Sequence, residues 1–123
     1  MTSSARLFDK ENKIIEIVWY QSAQPQDFDR VTGEIETLSR DLGGAFDVLV
    51  DMREVQAFSP ESQVKLVEHQ KSILSFGMQR AAVVVTGAIS KLQLKRSARQ
   101  SEHTTESHWN NYDDAVAFLK ECT

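Results

Sequence analysis

The sequence predicts an α/β domain: a mixed, mostly parallel β-sheet carrying about four α-helices, in the order β-β-α-β-α-β-α-β-α. Two observations carry this. Short runs of β-branched, aliphatic and aromatic residues alternate with longer segments whose apolar residues recur every three or four positions. The runs at 46–52 (FDVLVDM) and 81–86 (AAVVVT) are almost continuously apolar, as central parallel strands covered on both faces require. Such alternation argues for helices packed on a largely parallel sheet.

The elements follow in chain order. Residues 6–8 and 14–20 (IIEIVWY) flank the polar link DKEN, which suits a hairpin turn. Pro25 and Asp27 open a helix whose stripe is Phe28, Val31, Ile35, Leu38 and Leu42, and Gly43-Gly44 ends it. After the strand at 46–52, residues 59–76 form a second helix. Val64, Val67 and Leu74 lie near one line there, with Leu66 and Ile73 widening it, and Gly77 stops it. A polar third helix is expected at 88–100 and an edge strand at 104–109. Tyr112, Ala115, Val116 and Leu119 mark the last helix. Asn111 suits its cap, Asp113 and Asp114 its positive end, and Lys120 its negative end.

Composition narrows the function. The 123 residues fit one domain over 1–123, with 41% apolar and 26% charged residues. With 14 Lys and Arg against 18 Asp and Glu, the net charge is −4, which argues against general nucleic-acid binding. Cys122 is the sole cysteine, so no intramolecular disulfide forms, and no apolar run has the length of a membrane span. The expectation is a cytoplasmic protein with no integral membrane association.

The stretches FDVLVDMREVQAFSPES, RAAVVVTG and ESHWNNYDDAVAFLKE resemble the STAS superfamily, and more closely its SpoIIAA-like branch of small stand-alone proteins. The resemblance covers residues 5–121 and implies a STAS-like fold. It also implies a regulatory module that acts on protein partners and is controlled by phosphorylation of a serine at the start of the second helix. With Asp51 aligned to the family's strand-ending aspartate, the acceptor position falls on Pro60, and a one-residue shift offers Ser59. Ser62 is the second candidate. Ser59 has an equally complete structural reading: serine caps helices through its hydroxyl, proline is favoured at the next position, and Glu61 suits the helix dipole.

No nucleophile-base pair, phosphate loop or metal-ligand spacing is present, so neither an enzyme nor a cofactor is expected. His69, His103 and His108 read as surface or half-buried residues. Lys91, Lys95 and Arg99 recur every four residues, with Arg96 beside them, and form a basic edge on the third helix. The candidate partner or ligand surface is therefore Asp51 at the strand end, Arg53 and Phe58 in the loop, and Lys91, Lys95, Arg96 and Arg99 on the third helix. A homodimer is one expected partner, with Trp19, Tyr20, Trp109 and Tyr112 as candidates for its surface. The alternative is a carrier or sensor of a small hydrophobic or anionic, lipid-like ligand under the third helix.

Overall fold

A computed structural model of the chain describes residues 3–87, 92–93, 95–96, 99 and 106–121. The strands are β1 (Ser4–Asp9), β2 (Ile14–Tyr20), β3 (Phe46–Glu54), β4 (Met78–Val84) and β5 (Glu106–Trp109). The helices are α1 (Pro25–Asp41), α2 (Pro60–Ser75) and α3 (Tyr112–Lys120). The sheet runs β1-β2-β3-β4-β5, with β1 antiparallel to β2 and every other pair parallel. The fold is thus α/β on a mixed sheet.

This order decides which face each helix covers. Crossovers between parallel strands are right-handed. Because β2, β3 and β4 advance in one direction across the sheet, α1 and α2 fall on the same face. Phe28, Val31 and Ile35 from α1 and Leu66 and Ile73 from α2 pack there against Ile15, Ile17, Val48, Val50 and Val83. The other face receives α3, whose Ala115 and Leu119 pack on Ile14, Leu49, Ala82 and Val84. β3 therefore alternates between two cores, with Val48 and Val50 beneath α1 and α2, and Leu49, between Asp47 and Asp51, beneath α3.

The ends are fixed locally. Asn111 Oδ1 accepts from Asp114 N at 3.1 Å and caps α3. Gly43 and Gly44, at φ 76° and 78°, end α1. Gly77 ends α2 at φ 112°, and a Cβ there would lie 1.7 Å from the Gly44 carbonyl oxygen. The two helix-ending loops thus touch backbone to backbone. At the same end of the sheet, Arg80 binds Asp47 at 2.7 Å and the Leu119 carbonyl at 3.0 Å, and lies over the Phe118 ring. On the β1 edge, the outward N–H of Ala5 donates to Glu34 Oε1 of α1 at 2.9 Å.

One expectation changes, and two reach outside the described residues. Three helices, rather than four, are delimited among the described residues. The expected third helix lies mostly outside them, although residues 92, 93, 95, 96 and 99 are helical. β5 is described over Glu106–Trp109, and residues 104 and 105 of the expected strand lie outside the described residues. The change concerns the buried line of α2, which is Ser62, Leu66, His69, Gln70 and Ile73, while Val64 is 61% exposed. Hydrophobicity pointed to Val64 and Val67. The helix is instead rotated so that its polar residues meet partners across the core.

His69 is one of those residues, and it is buried rather than on the surface. Thr32 Oγ1 donates to the Phe28 carbonyl at 2.7 Å, so its 2.8 Å contact with His69 Nδ1 is an N–H donated by the imidazole. The ring packs edge-on to Trp19, with centroids 5.3 Å apart. Burial pushes the His69 pKa down to about 4 from its ordinary 6.5.

Two outcomes are expected. A folded-state pKa depressed for a base means that the unfolded chain binds a proton the native state refuses. His69 therefore costs stability as pH falls from 6.5 towards 4. Urea denaturation at pH 7 and pH 5 should show about 2 kcal/mol lost over this interval, a loss absent in His69→Gln. Gly77→Ala should lower stability by about 3 kcal/mol or more in the same assay, since both φ and the Gly44 carbonyl forbid a Cβ.

Candidate functional site

The loop from the end of β3 to the start of α2 stands at the carboxyl end of the parallel strands, where α/β folds place ligands. Asp51 and Arg53 point towards α3. Arg53 donates from Nε and Nη2 to the two Asp51 carboxylate oxygens at 3.0 and 2.8 Å, and its backbone N–H reaches Oδ1 at 3.1 Å. Burial pushes the Asp51 carboxyl up, but these bonds outweigh it and hold the group below the usual carboxylate value. The Arg53 guanidinium sits 4.9 Å over the Tyr112 ring. The Tyr112 hydroxyl donates to the buried Glu16, which also pairs with Arg6 at 2.6 Å. Burial and the Glu16 bond push the Tyr112 pKa up to about 12. This network is internally satisfied, so Asp51 and Arg53 bind each other.

Beyond Arg53 the loop is held by two glutamine side chains. Gln21, just after β2, accepts from Gln56 N at 2.7 Å and Ala57 N at 3.2 Å, and donates to the Ala57 carbonyl. Gln93 accepts from Phe58 N at 2.9 Å and donates to the Phe58 carbonyl at 3.0 Å. Each amide substitutes for a neighbouring strand, satisfying N–H and C=O groups that the loop leaves open. The Phe58 ring is 5% exposed and packs edge-on to Phe28. Phe58 is therefore a core anchor and not a contact surface, and only its backbone faces the helical segment.

Ser59 is exposed, with its hydroxyl accepting from Ser62 N at 3.2 Å. Pro60 follows as the first helical residue. The capping geometry read from the sequence is in place. Ser62 is 3% exposed, so a modifying enzyme reaches it only if α2 opens. An open hollow of about 260 Å³ lies beside the cap, lined by Pro60, Gln63, Val64 and Arg96. Lys95, Arg96 and Arg99 are exposed, and so is Leu92 at 68%. Lys91 and His103 lie outside the described residues. The candidate set thus divides in two: Asp51 and Arg53 on the α3 face, Ser59 and Arg96 on the other.

A second, partly open cavity of about 20 Å³ lies between α2 and the sheet, lined in part by Trp19, Leu66, His69, Ile73 and Glu106. It has room for about one water molecule. Glu106 there accepts from Gln70 Nε2 at 3.3 Å and pairs with His108 Nε2 at 2.8 Å. Sequence reading missed Gln21, Gln93 and the Glu16–Tyr112 pair, because each partner is at least 35 residues away.

No family model and no curated protein matches the chain. The fold is similar to that of a protein solved by NMR, TM1081, with a TM-score of 0.65 and 13% identity over 96% of this chain and 88% of that one. At that identity the likeness is one of fold alone. Among the described residues no helix is long and apolar enough to cross a membrane.

Removing the Gln93 clamp should loosen the loop without unfolding the domain. In Gln93→Ala, hydrogen exchange at the Phe58 amide should quicken roughly tenfold, with amides of β3 unchanged, as expected for two lost hydrogen bonds at the end of an ordered core.

Proposed function

We propose that the chain is a non-enzymatic, cytoplasmic regulatory or interaction module of the STAS type, working through protein partners at the start of α2. One observation carries this reading. A rigidly held loop presents an exposed serine, Ser59, at a helix N-terminus beside an open hollow and an exposed cationic segment. The resemblance of FDVLVDMREVQAFSPES to the SpoIIAA-like branch supports the same place on the chain.

Ser59 is the phosphoacceptor in this reading. A phosphate there would keep the Ser62 N–H as a donor and gain the positive end of α2. Glu61 in the first turn opposes it, and Arg96 across the hollow favours it. The carrier reading ranks second. It needs a closed apolar pocket between α2 and the helix expected at 88–100, whereas the hollow beside Arg96 is open and has polar residues in its lining.

The test is native mass spectrometry of the chain from its own host, followed by the same sample denatured. The reading expects a protein partner in the native spectrum and a phosphate on Ser59 that survives denaturation. A small molecule lost on denaturation, with no protein partner, would replace it with the carrier. Ser59→Ala should abolish phosphate-dependent partner binding and cost about 0.5–2 kcal/mol of stability from the lost cap. Loss of stability with unchanged partner binding would leave Ser59 as a cap alone.

A further inference from the structure

Resting on that reading of the α2 start as a partner surface, we infer that the hollow between α2 and Arg96 receives an acidic segment of a partner protein, which inserts an apolar side chain. The first observation is electrostatic. Arg6, Arg30, Arg40, Arg53 and Arg80 each pair with a carboxylate of this chain. Arg96 and Arg99 are the described arginines that make no such pair, and exposed Lys95 stands with them. Among the described arginines, these two alone lack a carboxylate of this chain, and they stand together.

The second observation is apolar and independent. Val64 is 61% and Leu92 68% exposed, the most exposed large hydrophobic residues among those described. Val64 shares the hollow with Arg96. Leu92 is one helical turn before Arg96, on the same face. The Gln93 clamp on Phe58 fixes this segment beside the start of α2. A hollow lined by Pro60, Gln63, Val64 and Arg96, with exposed Leu92, Lys95 and Arg99 on the neighbouring segment, matches an apolar anchor flanked by carboxylates.

An anionic membrane is the competing occupant. Three cations and two exposed aliphatic side chains bind a bilayer weakly, since stable anchoring takes stronger signals. A flat headgroup surface also leaves a concavity unfilled. The geometry therefore favours a protein segment.

The experiment selects peptides from a random display library on the immobilised full-length chain, then measures the enriched peptides in solution. Enriched sequences should carry an aliphatic or aromatic residue flanked by Asp or Glu, and binding should weaken with added salt. Arg96→Glu and Val64→Ser should each weaken binding about tenfold or more. Lys71→Glu, on an exposed part of α2, should leave it unchanged. Both test positions are exposed, and amide spectra of the variants check that they fold.

Enrichment of peptides without carboxylates, or binding indifferent to both variants, would overturn the inference. Binding to phosphatidylserine-containing vesicles in place of peptides would also overturn it, in favour of a lipid surface. Peptides that bind and shift amides on another face would remove the hollow yet leave the interaction module standing. Failure to enrich peptides on any face would remove both.

Discussion

Burial of β3 on both faces is the constraint on which the rest of the molecule depends. Val48 and Val50 enter the core beneath α1 and α2, and Leu49 the core beneath α3. Such a strand cannot slip by one residue, because slippage would exchange two differently shaped cores. Its register fixes where it emerges, and the loop from Val55 to Ser59 begins there. The candidate site is thus placed by the packing of a strand with no functional group in its middle.

The loop is then shaped by side chains from far along the chain. It has no glycine, and its proline falls on the first residue of α2. Backbone propensity alone leaves it loose. Gln21 holds Gln56 and Ala57, Gln93 holds the next residue, Phe58, and the Phe58 ring enters the core. Rigidity at this point gives the helix start a fixed direction, so a partner meeting it loses little conformational entropy on binding.

The helices and strands that are legible in the sequence are those whose signals are local. α1 is carried by the spacing of Phe28, Val31 and Ile35 and by the glycines that follow, and α3 by the Asn111 cap and the tail of acidic then basic residues. The Ser59 cap was legible for the same reason. The rotation of α2 was not, since it depends on partners for His69 and Gln70 on α1 and β5. Phe58 looked like a surface residue because a loop aromatic has no periodicity to reveal its direction. The Tyr112–Glu16 bond joins residues 96 positions apart, and nothing in either neighbourhood announces the other.

The carboxylate of Glu34 on the outward N–H of Ala5 has a consequence for how copies of this chain treat one another. An open sheet edge is a template on which another strand can grow. Here α1 supplies a side chain where an incoming strand would place its carbonyl. A filament built through β1 must first evict that carboxylate, so crowding the protein does not by itself open this route to a polymer.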